Sequence, residues 1–411
     1  GRNSIASCIY QISEQLDIPL TVGGGISSLD DACTLFQNGA DKVCINSALV
    51  KNSKLANEIS AVYGAQSIVA SIQVRPSRLL VWEVFVDSGR EPTGKSLLEW
   101  LKELEMLPIG EVLITSVRCD GTKSGIDRDL IDVIPKYFPK PLIYSGGISS
   151  SRCLDYISSA NNGLSIAIGR ALHDGTLKMP NFSSELCRNN GKILAQPNSS
   201  YRLKIGIIDL GLGNSGALKR RLSLLGLDAF LTSSINKLKT SDLIVLPGVG
   251  SFSHGIRSLR SIYGLEELII DWVNANKPSI AICLGMQLLF ESSEESPGEK
   301  GLSILSGNVK HLPRERKIPL PNVGWSDVEG VHQLLGDDIP HDDQSYYFVH
   351  SYAVQELINL DDKHVALGRH GSKSFLAAIR FKNLYAFQFH PEKSGTQGTW
   401  LLDQVIRKFN T

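Results

Sequence analysis

The stretch KPSIAICLGMQLLF, residues 277–290, reads as a buried strand at 278–282, a nucleophile at Cys283 and a helix that starts at once. Gly285, two residues on, allows the sharp strand-to-helix turn that lifts one side chain clear of a sheet edge. The new helix points its N-terminal N–H groups back at the sulfur, and that positive end favours thiolate over thiol. A lone cysteine is more often a small buried hydrophobe. The reading therefore needs a histidine and a carboxylate in the same domain.

AFQFHPEKSG, residues 386–395, supplies both. A strand carries Phe387 and Phe389 on one face and delivers His390 at its end; Pro391 breaks it, and Glu392 is placed to turn back on the imidazole. A cysteine needs a base to take its proton, and the base needs an orienting carboxylate. An oxyanion hole has two candidate sources: the Leu284 N–H, and a backbone N–H in Pro247-Gly248-Val249-Gly250. Around this core, LKIGIIDLGLGN (203–214) and DLIVLPGVGSF (242–252) read as strands ending in glycine-rich turns. From Gly301 onward the pattern is more strand-like, so an α/β sheet with an antiparallel extension is expected.

The first half alternates apolar strands with amphipathic helical stretches, the βα repeat of a parallel sheet. Its six strands are expected at 19–22, 42–45, 67–74, 111–115, 141–144 and 164–168, with an inserted β-ribbon in LLVWEVFVDSGREPTG, 79–94. The strand ends are rich in glycine and small polar residues: Gly23-Gly24-Gly25, Asn46-Ser47, DGTKSG (120–125), Ser145-Gly146-Gly147 and Gly169-Arg170. Such loops let backbone N–H groups approach a phosphate, and in a barrel they share one face. Residues 181–201 form a polar linker, so the domains are expected at 1–180 and 202–411.

The 411 residues suit two or three domains, and 42% hydrophobic content fills real cores. Lys+Arg and Asp+Glu are both 42, which gives no reason to expect nucleic acid or a membrane surface as partner. Seven cysteines without a C-x-x-C pair fit a reducing, cytoplasmic compartment and no metal site. No apolar run reaches membrane-span length and no signal peptide is visible. The chain opens at Gly1 inside an apparent helix with Ile5, Cys8, Ile9 and Ile12 on one stripe, the mark of a fragment.

These residues carry a family resemblance. Cys-Leu-Gly-Met-Gln at 283–287 with Phe-His-Pro-Glu at 389–392 resembles the class I glutamine amidotransferases. Within that class, DLGLGN (209–214), PGVGSF (247–252), VGW (323–325) and YFVHSY (347–352) resemble the glutaminase subunit of imidazole glycerol phosphate synthase. The resemblance implies Cys283, His390 and Glu392 as a triad that hydrolyses glutamine, with loop 248–250 at the oxyanion. Two departures are Leu210, where the family has Tyr, and the Pro321-Asn322 segment, where it has His before the Gly-Trp pair.

TVGGGI (21–26), GADKVCIN (39–46), TSVRCDGTKSGID (115–127) and SGG (145–147) resemble the cyclase subunit of the same synthase. The implied fold is a TIM-type βα barrel of which this chain supplies six of eight strands, followed by the amidotransferase α/β domain. Such a partial barrel leaves two sheet edges, so the chain alone is expected to fold poorly unless the missing segment is supplied. By the resemblance, Gly25, Asn46 and Ser47 hold one phosphate of a formimino-ribulosyl substrate (PRFAR); Gly121, Gly147 and Gly169 hold the other. Asp120 and Ser145 contact the substrate, Lys42 and Glu111 stand at an ammonia entrance, and Asp41 faces the glutaminase. No cofactor is implied. One cyclase acid/base position falls on Gln73, whose amide cannot exchange a proton near neutral pH. The implied product is imidazole glycerol phosphate with AICAR, in histidine biosynthesis. The alternative is a cyclase-dead barrel that passes ammonia to a separate synthetase, as in sugar amination.

Overall fold

A computed structural model describes residues 2–78, 82–161, 163–177, 203–213, 215–335, 344–356 and 363–409. The expected linker at 181–201 and Asn214 lie outside the described residues.

The first sheet runs β1 (Thr21–Gly23), β2 (Lys42–Ile45), β3 (Ile68–Pro76), β6 (Glu111–Ser116), β7 (Leu142–Ser145) and β8 (Leu164–Ala167), all paired in parallel. It is the partial TIM-type barrel that the family resemblance implies. Strand periodicity divides its residues between two faces. Val43, Ile45, Ile68, Ala70, Ile72, Val74, Val112, Ile114, Leu142 and Tyr144 bury against the helices. The alternate residues Lys42, Cys44, Ser71, Gln73, Glu111, Thr115 and Ser145 lie on the inner face.

The β-ribbon forms as β4 (Trp82–Val86) and β5 (Glu91–Ser96). It pairs antiparallel with the end of β3, Gln73 opposite Phe85 through Pro76 opposite Trp82, which carries β3 past the expected end at residue 74. The next helix, Leu97–Met106, starts at a capping box between Ser96 and Glu99. The opening helix spans Arg2–Ser13. Of its expected apolar stripe only Ile9 is buried; Cys8 and Ile12 are exposed, and the side chain of Ile5 lies outside the description.

The second sheet has the order β10 (Asp228–Thr232), β9 (Lys204–Ile208), β11 (Leu243–Leu246), β12 (Ser279–Ile282), β20 (Leu384–Phe387), β19 (Lys373–Phe381), β18 (Lys363–His370), β15 (Asn322–Glu329) and β16 (Gln344–His350). The first five strands pair in parallel and the rest antiparallel, the expected α/β sheet with its extension. Strands β13 (Ser292–Ser293), β14 (Asn308–His311) and β17 (Tyr352–Val354) make a small third sheet. Alternation sends Ile205, Ile207, Val245, Ile280 and Ile282 into one core and Ile208, Ile244, Leu246 and Ala281 into the other. Among the described residues no helix is long and apolar enough to cross a membrane.

The second domain docks on the end of the first sheet where the strands begin. Lys393 pairs with Asp41 at 3.0 Å. Leu320 N–H donates to Pro139 O at 2.8 Å. Ser251 binds the last turn of helix Lys54–Tyr63, its N–H donating to Val62 O at 3.2 Å and its hydroxyl to Ala61 O at 2.7 Å.

Candidate active site

Strand β12 ends at Ile282, and Cys283 takes φ 52° and ψ −109° before the helix Leu284–Leu288. That conformation costs a non-glycine residue about 1–3 kcal/mol, so its surroundings must hold it. Cys283 N–H donates to Phe387 O at 2.6 Å. Gly285 packs so tightly under β11 that a Cβ there would stand 2.0 Å from Leu246 O. This explains the glycine two residues after Cys283. The helix behind the sulfur is only five residues long, so its positive end is weaker than a full-length helix would give.

His390 and Glu392 follow β20. His390 N–H donates to Tyr347 O at 3.0 Å, and the Ser394 hydroxyl donates to His390 O at 2.7 Å. The imidazole Nδ1 meets Glu392 Oε1 at 2.8 Å. Both residues are buried, and His390 Nε2 has no hydrogen-bond partner. Burial opposes a charged imidazole, but the sulfur of Cys283 and the Glu392 carboxylate overcome it and raise the His390 pKa well above its ordinary value. Burial likewise resists ionisation of Glu392, and the charge and hydrogen bond of His390 win, lowering its pKa. The arrangement suits an imidazolium at His390 with an ionised carboxylate behind it.

Of the expected oxyanion donors, the Leu284 N–H is engaged. Leu284 N–H donates to Gly248 O at 3.3 Å, so loop 247–250 presents a carbonyl to the elbow. The cavity over Cys283 and His390 is lined by Val249, Gly250 and Leu284, and by Tyr63, Gln66 and Ser67 of the first domain. Glu295 also lines it and was not singled out in the sequence, because it sits in the acidic run ESSEE (291–295) that reads as solvated surface. Burial pushes its carboxyl up to about 7, although Phe252 N–H donates to it at 2.8 Å. An adjoining cleft of about 560 Å³ opens between the domains and shares Gln66, Glu295, Ser351 and Tyr352 with this cavity.

At the opposite end of the first sheet, Asp120, Gly121, Ser145, Gly147 and Gly169 surround one pocket. Gly147 fits because a Cβ there would stand 2.0 Å from Gly125 O. Lys123 and Arg170 line the pocket too, and Arg170 Nη1 donates to Gly121 O at 2.6 Å. Buried Asp127 braces the loop, accepting from Ser116 Oγ and Arg118 Nε, each at 2.6 Å. Its N–H donates to Tyr144 OH, which donates to Gly146 O, so the two loops are tied together. Gly25 follows β1, and Asn46 and Ser47 follow β2, apart from this pocket. Ser47 Oγ accepts from Asp87 N–H at 3.1 Å. Asn46 Nδ2 donates to Gln73 Oε1 at 3.1 Å, and Asn46 Oδ1 is buried without a partner.

Lys42 and Glu111 begin β2 and β6 on the inner face and meet at 2.6 Å, both buried. Burial works against the Lys42 charge, yet Tyr347 and Glu111 together raise its pKa. The Lys42 ammonium lies 5.9 Å from the centre of the Tyr347 ring, across the domain boundary.

Comparison with known proteins agrees with both halves. A family profile described as "Histidine biosynthesis protein" matches residues 1–178, and one described as "Glutamine amidotransferase class-I" matches residues 207–408. Imidazole glycerol phosphate synthase subunit HisH of Prochlorococcus marinus is 39% identical over 197 residues, covering 47% of this chain and 91% of that protein. Subunit HisH of Pyrococcus furiosus is 37% identical over 205 residues, covering 50% and 98%. Subunit HisF of Dictyoglomus thermophilum is 36% identical over 187 residues, covering 45% and 73%. The chain belongs to the imidazole glycerol phosphate synthase family, its first half related to HisF and its second half to HisH.

Proposed function

We propose that the chain hydrolyses glutamine at Cys283 and hands the ammonia across the domain boundary to the phosphate-loop end of the first sheet. The observation that carries this reading is the placement of the glutaminase cavity. First-domain residues Tyr63, Gln66 and Ser67 wall it, beside the Lys42–Glu111 pair that opens the inner face.

The Cys283 thiolate attacks the side-chain amide carbon of glutamine. His390, protonated and held by Glu392, gives its proton to the departing nitrogen, which leaves as ammonia. Water then attacks the thioester carbon with His390 as base, releasing glutamate and restoring the thiolate. The Glu295 carboxylate suits the α-ammonium of glutamine, whose charge would hold it ionised. The oxyanion needs the Leu284 N–H, now given to Gly248 O. Rotation of the Gly248–Val249 peptide frees that N–H and turns the Val249 N–H toward the cavity.

Ammonia released here meets Lys42 and Glu111, then the small and polar residues Cys44, Ser71 and Thr115 of the inner face. At the far end, Asp120, Gly121, Ser145, Gly147 and Gly169, and Gly25, Asn46 and Ser47, suit the two phosphates and hydroxyls of a formimino-ribulosyl substrate (PRFAR). The product of that reading is imidazole glycerol phosphate with AICAR.

A second reading keeps the glutaminase and removes the cyclisation. Gln73 and Asn46 join their amides at 3.1 Å, and neither takes up or releases a proton near neutral pH. On that reading the inner face conducts ammonia to a separate synthetase. Glutamate release from glutamine tests the first step. Turnover of PRFAR with ammonium salt in place of glutamine tests the second, and robust turnover rejects the conduit-only reading.

A further inference from the structure

Tyr352, Gln287, Gln388 and Cys283 form a line of hydrogen bonds whose direction is fixed at one end. Gln287 Nε2 donates to the Tyr352 carbonyl at 2.9 Å and to Gln388 Oε1 at 3.1 Å. A backbone carbonyl only accepts, so the Gln287 amide has one orientation. Its nitrogen then requires the oxygen of Gln388, which leaves the Gln388 nitrogen facing Cys283, Nε2 to Sγ 3.8 Å. Gln388 is 1% exposed and Cys283 6%, so no bulk water competes for this contact.

The sheet sets the approach. β12 and β20 pair in parallel with Ala281 opposite Ala386 and Ile282 opposite Phe387. One further step brings Gln388 beside Cys283. The Gln388 N–H donates to Ala377 O at 2.8 Å, which fixes its backbone to the neighbouring strand.

We propose that Gln388 is a catalytic residue that holds the nucleophile as a thiolate, its side-chain N–H donating to Cys283 Sγ. The inference rests on the reading of Cys283 as the glutaminase nucleophile. A neutral donor suits this place. It favours S⁻ over S–H before glutamine arrives, and its bond to sulfur weakens as the negative charge leaves sulfur for the oxygen of the tetrahedral intermediate. The five-residue helix behind the sulfur gives limited help, and His390 must also part with its proton during the reaction. Gln388 is a donor whose protonation never changes.

The test uses the full chain carrying Gln388→Met or Gln388→Glu. The rate of iodoacetamide alkylation is followed against pH by the mass of the peptide bearing Cys283, alongside glutamine kinetics. Methionine keeps the length and removes the donor; glutamate keeps the acceptor for Gln287 and places a negative oxygen at the sulfur. Loss of a hydrogen bond to a charged group moves the alkylation pKa up by about one to two pH units in Gln388→Met, and further in Gln388→Glu. Glutamine kcat falls roughly tenfold or more while KM stays within about twofold, as for a group acting on the reacting atom. If Gln388→Met does not fold, Gln388→Glu carries the test by itself. Alkylation profiles that superimpose on the parent, with only thermal stability reduced, overturn the proposal. Undiminished glutamine hydrolysis by Cys283→Ser instead overturns the nucleophile reading beneath it.

Discussion

The Lys42–Glu111 pair lends itself to a quantitative test. The two groups meet at 2.6 Å with side chains 6% and 11% exposed, and Tyr347 of the other domain covers the ammonium. Removing one partner of a buried pair leaves the other charge unpaired and costs about 3–5 kcal/mol, whereas replacing both by apolar groups of similar volume is close to neutral. Lys42→Met and Glu111→Leu should each lose that much, and the double variant should recover most of it. The assay is a urea melt of all four proteins, with the coupling read from the double-mutant cycle. The pH dependence has a sign. In the parent, the raised Lys42 pKa gives stability that is complete below 10.5 and lost as pH rises through the folded value. In Glu111→Leu burial is opposed by Tyr347 alone, so the folded pKa falls from its raised value. The deficit is then full at low pH and shrinks as pH rises through the folded values. Single variants that lose less than about 1 kcal/mol, or a double variant that loses the sum of both, refute the reasoning.

Other outcomes follow from the same geometry. Cys283→Ala should abolish glutamate release and leave any ammonium-driven turnover of PRFAR unchanged; parallel loss of both activities counts against separate sites. Glu295→Gln should raise the glutamine KM about tenfold or more with a smaller change in kcat, since it removes an ionic contact to the α-ammonium. Asp127→Asn should cost about 2 kcal/mol in a thermal melt and raise the KM for a phosphorylated substrate, because Arg118 and Ser116 lose the carboxylate that braces their loop. Burial opposes ionisation of Asp127, yet Arg118 and Ser116 lower its pKa. Its contribution is therefore complete above the unfolded value and lost as acid titrates the folded carboxylate, an effect absent from the variant's pH-stability curve.

What could be read in the sequence was local punctuation. Gly285 and Pro391 mark turns whose geometry lies within a few residues of Cys283 and His390, and strands buried on both faces show as apolar runs. Contacts made by distant strands were illegible. β3 runs to Pro76 because the β4–β5 ribbon adds a ladder beside it. Leu284 offers a free N–H on paper, but Gly248 O reaches it from another strand's loop. Glu295 looks like its solvated neighbours until the third sheet and the first domain close over it. Lys42 and Glu111, as single charges, read as surface; 69 residues apart in the chain, they become a buried pair only when β2 and β6 take places on either side of β3.

The two ends of the first sheet are joined by more than its inner face. Asn46 and Ser47 stand where β2 ends, and the chain leaves them through helices Ser47–Lys51 and Lys54–Tyr63. The last turn of the second carries Ala61 and Val62, whose carbonyls accept the two hydrogen bonds that Ser251 donates. A Cβ at Gly250 would stand 2.8 Å from Val62 O, so the loop is also seated sterically on that helix end. Gly248 belongs to the same loop and occupies the Leu284 N–H. A short stretch of chain thus connects the proposed phosphate residues to the peptide that must rotate for glutamine hydrolysis. Coupling along it requires an element with two arrangements, and under the proposed function the Gly248–Val249 peptide would be that element. If that peptide rotates as proposed, the Ser251 contact two residues after it would let movement of the helix end reach the proposed oxyanion site.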